Sequence, residues 1–343
     1  MRNYFSNNFN YIFILLIIFS NLSFGKEFRE LFEINHRIEN GISTENSLNK
    51  SFDKMIYRLS GSKSPSNIWK IINSGSARKD FIESYSVHDM NGVSYLKTKF
   101  NQNLLEETFK KLDLPIIGKS RPTFIVVAKI DNGVDDPYFI SDVAKNSLDG
   151  GIQANLKNIA SERGVFIDLP SIDLIDLKKL SEFNYLINPT EYLISKYKHD
   201  RIFNIAITKV DLEKWTITGD LNLDIEAKEY QSNLTTALSK YIEENISDHL
   251  STLKFSFKSK EKFQLNIDKI DNFDDYQEVI FSLKEIMGIE KININRFNQN
   301  ILICDVYFYG EDDRFITALT NKSNFVISEI NQEKQKIYIE YKG

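Results

Sequence analysis

Five consecutive apolar residues at 124–128, in the stretch PTFIVVAKID, restrict the possible folds more than any other feature of the chain. A strand without polar alternation has both faces buried, as in a sheet covered by helices on each side. The residues that follow alternate helical and strand-like patterns. SLDGGIQANLKNIASERG reads as a helix ended by Gly164, and VFIDLP as a second buried-type strand. SIDLIDLKKLSEF opens acidic and continues helical, and NPTEYLISKYK is a short helix with proline at its start. RIFNIAITKVD and KWTITGDLNLD form a strand pair, with Trp215, Ile217, Gly219, Leu221 and Leu223 alternating along the second. A long helix at about 234–253 closes the segment. This order predicts a three-layer-like α/β domain over 116–258.

Different patterns flank it. In ISTENSLNKSFDKMIYRLSGSKSP, Leu48, Phe52, Met55, Ile56 and Leu59 recur at helical spacing. Thr44 or Asn46 is the expected cap, and Gly61 and Pro65 the stop. A short helix, a strand at about 82–88, a turn at Asp89-Met90-Asn91-Gly92, a strand at 93–100 and a helix bearing Leu104, Leu105, Phe109 and Leu112 follow. That is an α-α-β-β-α unit over 26–115. After the lysine-rich KSKEK, residues 259–343 read β-α-β-β-α-β-β, a ferredoxin-like split βαβ arrangement with one extra strand. The predicted fold class is therefore tandem small α+β and α/β domains.

The first 25 residues read as a segment apart. Arg2 precedes the uncharged apolar run YIFILLIIF at 11–19, and small residues stand at Ser23 and Gly25 before the charged KEFREL. This is the pattern of a secretory signal peptide cut between Gly25 and Lys26. A nine-residue helix rises about 13 Å, against about 30 Å of bilayer hydrocarbon, so a spanning anchor is not expected. Export to the periplasm, with no integral membrane span after cleavage, is the expectation.

Charge and cysteine usage narrow the chemistry. The net charge is −5 in 343 residues, and no basic block interrupts the mixed signs. A nucleic-acid partner, which needs clustered Lys and Arg, is not expected. Cys304 is the only cysteine, which rules out an internal disulfide and a multi-cysteine metal site. Its apolar strand, NILICDVYFYG, suits a buried inert thiol.

Gly118-Lys119-Ser120 imitates the end of a P-loop, but the first glycine of that motif would fall at Asp113, and the tripeptide leaves a helix and enters a strand through Arg121-Pro122. A P-loop does the reverse. Asp168, Asp173 and Asp176 in IDLPSIDLIDL lie near a strand's C-terminal end, where α/β sheets bind ligands and where carboxylates could hold Ca²⁺ or Mg²⁺. The competing reading makes Asp173 and Asp176 first-turn acids that complement a helix dipole. NFDDYQE and GEDDRF read as acidic helix starts in the same way. His36, His88, His199 and His249 show no zinc spacing, and Ser62 and Ser76 lie in ordinary serine-glycine loops. No cofactor motif is present.

Three strings, YRLSGSKS, LDLPIIGKSRPTFIVVAKIDNG and RGVFIDLPSIDLIDL, appear in an order that resembles the exported bacterial family called domain of unknown function 2066, over about 43–223. The resemblance implies a signal-bearing envelope protein of Gram-negative bacteria with no assigned reaction. The matching positions are Gly61, Pro115, Gly118, Arg121, Pro122, Gly164, Leu169, Pro170, Asp173 and Asp176, of which only Arg121, Asp173 and Asp176 offer chemistry. The layout of the middle segment is also similar, by analogy alone, to small α/β domains of periplasmic scaffolding proteins. The resulting expectation is a non-enzymatic periplasmic interaction module with an envelope protein as partner and no metal or cofactor. The alternatives are an envelope hydrolase or metal-dependent enzyme using the Asp168/Asp173/Asp176 edge, or a small-ligand binder.

Overall fold

A computed structural model describes residues 26–343 apart from 40, 91, 183–188, 198, 213 and 227–229. The apolar run at 11–19, Gly25 of the expected cleavage site and Asn91 of the predicted turn lie outside the described residues. The described chain divides into two compact units, Lys26–Lys258 and Ser259–Gly343. The content is mixed α and β throughout, as the patterns predict. The first unit contains both the 26–115 and the 116–258 segments, and the expected boundary at 115/116 falls inside it.

In the first unit, helix α1 (Thr44–Ser60) packs its apolar face on a three-stranded antiparallel sheet of β2 (Glu33–Arg37), β4 (Val93–Phe100) and β3 (Ile82–Met90), in that order. The cap is Ser43, whose Oγ accepts the Asn46 N–H at 3.2 Å, not the expected Thr44 or Asn46. Serine one residue earlier leaves both as helix residues. Gly61 ends the helix in the left-handed region at φ 62°. Strand β2 has no counterpart in the sequence reading. Helices α2 (Ser66–Asn73) and α3 (Gln102–Lys111) complete this part. The short β1 (Lys26–Glu27) pairs antiparallel with β5 (Ser120–Arg121).

Strand β6 (Thr123–Asp131) carries the apolar run, and residues 124–128 are all fully buried. Phe124, Val126 and Ala128 face a core built by helices α4 (Ser147–Arg163) and α7 (Tyr230–Thr252). Ile125 and Val127 face the opposite layer, where Leu193 of α6 (Pro189–Ser195) covers them. Successive side chains of a strand point to opposite faces, so the unbroken run matches helices on both sides. Strands β8 (Phe166–Asp168) and β9 (Arg201–Lys209) run parallel to β6 on either side of it. The short β7 (Tyr138–Phe139) adds antiparallel to the far end of β6, and β10 (Lys214–Gly219) and β11 (Leu223–Glu226) extend the sheet beyond β9. The predicted single strand KWTITGDLNLD is thus two strands, broken after Gly219.

The second unit is a five-stranded sheet in the order β13 (Ile289–Asn298), β14 (Ile301–Tyr309), β12 (Lys260–Asp268), β16 (Lys336–Tyr341), β15 (Phe325–Asn331). Helices α8 (Phe273–Lys284) and α9 (Asp312–Thr320) supply Val279, Leu283, Phe315 and Leu319 to the core on one face. Strand β14 lies antiparallel between β12 and β13, which is the predicted split βαβ. The extra strand does not extend an edge: β16 enters between β12 and β15, parallel to the first and antiparallel to the second. Cys304 is fully buried here, and burial together with the neighbouring Asp305 charge pushes its thiol up to about 12, so it is inert.

Candidate functional site

Helix α5 (Leu174–Glu182) begins directly after Asp173. The Asp176 N–H donates to Asp173 Oδ1 at 2.8 Å, and the Asp173 N–H donates back to Asp176 Oδ2 at 3.1 Å. This is the reciprocal geometry of a capping box, with aspartate in place of Ser and Glu. Asp176 is buried, and α6 closes over it. The Lys196 ammonium donates to both carboxylate oxygens at 2.6 Å, and the Tyr192 hydroxyl donates to Oδ1 at 2.7 Å. Burial alone would raise this carboxyl. The Lys196, Tyr192 and Asp173 hydrogen bonds outweigh it and hold the group down at about 2. A carboxylate so saturated is a poor proton acceptor and has no lone pair directed to a ligand. Asp168 stands exposed at the end of β8. The three aspartates do not form a metal-holding cluster, and no group of three or more His, Cys, Asp or Glu side chains among the described residues does.

A pH dependence follows from Asp176. Its folded-state pKa lies below the ordinary carboxylate value of about 3.8. The stabilisation is therefore complete above pH ~4 and is lost as pH falls towards 2. Replacing Asp176 by Asn, or Lys196 by Met, should cost about 1–3 kcal/mol at pH 7, because each leaves a buried or half-buried partner unsatisfied. For Asp176→Asn the deficit should shrink as pH falls from 4 to 2. Urea unfolding at both pH values measures it, and an unchanged deficit would mean the carboxylate is not ion-paired.

Arg121 occupies a different place. It is completely buried, as are Arg58 and Arg163. Arg58 lies in the last turn of α1 and Arg163 in the last turn of α4, and both helices end in left-handed glycines, Gly61 and Gly164. The bonds between the two helix ends are reciprocal. Arg58 donates to the Ser161 carbonyl at the end of α4, and Arg163 donates to the Gly61 carbonyl at the end of α1, at 3.1 Å. Arg58 also reaches the carbonyls of Glu30, Leu31 and Glu33 at 3.2, 3.1 and 2.6 Å. Arg121 lies against both helix ends. Its Nε donates to Gly118 O at 2.8 Å, and its terminal nitrogens donate to Arg58 O at 3.2 Å, Ile117 O at 3.1 Å and Arg163 O at 3.5 Å. Three cations share one interior, and burial depresses the pKa of each; for Arg121 the charges of Arg58 and Arg163 add to the effect. The compensating charge is the partial negative end of each helix, where carbonyls without intrahelical partners converge. These arginines tie segment 26–115 to segment 116–258.

Gly61, Gly118, Arg121 and Gly164 therefore meet at one junction, whereas Asp173 and Asp176 meet at another. Pro122 is buried between β5 and β6, and its carbonyl accepts the Phe166 N–H at 3.1 Å. The Gly-Lys-Ser stretch connects α3 to β5, as its order predicts, and the Lys119 carbonyl accepts the Phe28 N–H at 2.8 Å. Lys26, on the far side of the expected cut, pairs with Arg121 in the β1–β5 ladder.

The chain matches no family model, curated protein or solved structure.

His36 Nδ1 lies 3.2 Å from Ser51 Oγ, which also receives the Thr98 hydroxyl at 3.1 Å and donates to Ser47 O at 3.1 Å. Ser51 and Thr98 are fully buried, while His36 is half-buried, so the serine hydroxyl faces the interior and is engaged by Ser47 and Thr98. Burial, then the Lys54 and Lys50 charges, lowers His36 to about 4 and keeps it neutral at pH 7. Ser62 Oγ accepts the Ser64 N–H at 3.2 Å, a turn role. A groove of about 360 Å³ runs between α4 and α7, lined by Ser147, Leu148, Gly151, Ser232, Thr235 and Thr236, none of them titratable. No described helix is long and apolar enough to cross a membrane.

Arg58, Arg163, Tyr192 and Lys196 are the residues the sequence reading missed. Arg58 and Arg163 left one signal, a last-turn arginine shortly before a helix-ending glycine in two separate helices.

Proposed function

We propose that this is an exported periplasmic protein that acts without turnover, as an interaction or assembly-accessory module for an envelope partner. The observation that carries the reading is the engagement of Arg121 and Asp176, the two buried residues with chemistry among the family-string positions. Every hydrogen bond from Arg121 goes to a backbone carbonyl, and Asp176 is held by Lys196, Tyr192 and Asp173. Side chains used this way serve shape. The resemblance to the domain of unknown function 2066 family supports the same location. A cut after Gly25 would leave Lys26 and Glu27 as a leading strand seated on β5, which supports the processing step.

Cell fractionation and N-terminal sequencing test the location. The expected product begins at Lys26 in the periplasmic fraction, and an uncut chain retained in the cytoplasm refutes export. In vivo crosslinking followed by affinity capture tests the role. The expected result is one reproducible envelope protein, and capture of none removes the interaction reading.

A further inference from the structure

Strand β13 is an edge of the 259–343 sheet, ten residues long, with most of its side chains exposed. Such an edge presents unpaired backbone groups and is ordinarily blunted by charges or bulges. β13 has both devices: the register shifts at Glu290 and at Asn295, and Lys291 and Arg296 are exposed. Yet the edge also exposes apolar surface. Ile294 and Phe297 are 49% and 50% exposed, and beside them Phe273 of α8 is 66% exposed. The Tyr276 ring stands 6.0 Å from both Phe273 and Phe297, joining helix and strand into one aromatic strip.

The charges on β13 complement a second copy of the same strand. Glu290 and Arg296 lie three residues before and three residues after Asn293. In an antiparallel pairing of two β13 strands about a two-fold axis at Asn293, each Glu290 stands opposite the other copy's Arg296. The same operation sets Ile292 opposite Ile294, and Ile289 opposite Phe297. The faces agree. Ile289, Ile292, Ile294 and Phe297 align with the buried Phe308, Val306, Cys304 and Leu302 of β14, so all four lie on the helix-covered side. Arg296 aligns with Ile303, on the other side, where the Glu290 carboxylate accepts from Tyr309 and pairs with Lys260 at 2.8 Å. Cross-strand neighbours on one face interact directly, and opposite charges there favour the pairing.

We infer that β13 is a self-recognition edge, through which two copies of this chain join their 259–343 sheets antiparallel about Asn293. The occupant is a second copy because the edge is complementary to itself in both charge and apolar pattern. The inference does not depend on where the protein acts.

Sedimentation equilibrium of the full chain measures the self-association directly. The expected result is a monomer–dimer equilibrium. Glu290→Arg alone and Arg296→Glu alone each place like charges opposite one another twice per dimer, and each should weaken the dimer tenfold or more. The double exchange, Glu290→Arg with Arg296→Glu, restores opposite charges and should recover most of the affinity. Circular dichroism reports the fold of all three variants, and Arg296→Glu changes an exposed residue without touching the Tyr309 and Lys260 contacts that Glu290→Arg also removes. A wild-type chain that stays monomeric at about 100 µM overturns the inference. So does a dimer indifferent to the single reversals, or one that the double exchange fails to restore.

Discussion

Replacing Arg121 by Met should destabilise the 26–258 unit by about 3–5 kcal/mol, one of the two largest losses expected in this protein. Methionine fills a similar volume but donates nothing, so the carbonyls of Gly118, Arg58, Ile117 and Arg163 lose a shared donor in the interior. Arg121→Lys should recover little, because one ammonium cannot reproduce a planar fork that addresses several acceptors at once. Arg163→Met should cost less, about 1–2 kcal/mol. It loses the bonds to Gly61 O and Ser247 Oγ, but its Nε and one terminal nitrogen are already buried without a partner. Urea unfolding followed by far-ultraviolet circular dichroism gives all three values. An Arg121 variant as stable as the wild type would show that the junction of the helix ends is held by apolar packing alone. The expected unfolding is a single transition for 26–258, since the same arginine serves both segments.

Gly219→Ala should cost about 3–5 kcal/mol by a different route. Gly219 has φ 104°, a conformation that L side chains rarely adopt, and an added Cβ would lie 2.4 Å from the Asn204 carbonyl oxygen. That oxygen cannot move aside easily. It accepts the Asp220 N–H at 2.9 Å, while the Asn204 N–H donates to the Asp220 carboxylate at 2.8 Å. Gly61→Ala offers the comparison. There the added atom meets Ile117 Cδ1 at 2.4 Å, the end of a side chain that can rotate, and a loss of about 1–2 kcal/mol is expected. Thermal unfolding of the two variants should rank Gly219 well above Gly61, and the reverse order would place the strain elsewhere.

The residues whose meaning is local were readable in the sequence. The unbroken FIVVA run fixed a two-sided strand because burial on both faces leaves no place for a polar residue. Asp173 and Asp176 read as first-turn acids at a helix start, and the structure places them there, though as a reciprocal cap with Asp173 just ahead of the first turn. Gly118-Lys119-Ser120 was separable from a phosphate loop because the order of helix and strand around it is itself a local fact. The features that escaped depend on distant parts meeting. Arg58 looks like any basic residue in a last turn until α4 brings Ser161 against it. Lys196 and Tyr192 become the partners of Asp176 only when α6 folds over α5. Gly219 continued an apparent alternation, and nothing in that alternation announces a positive φ or a neighbouring carbonyl. Strand β2 was too short and too polar, EINHR, to stand out from a loop.

The position of β16 has a consequence for how the 259–343 unit comes into being. Its last strand is a central one, bonded to β12 through one edge and to β15 through the other. A ribosome delivers that strand after every other element of the sheet, so the layer keeps an open slot, with two unsatisfied edges, until residue 341 has emerged. The 259–343 unit therefore closes its sheet only once this strand is available, and any truncation ahead of Lys336 removes an interior strand of the sheet.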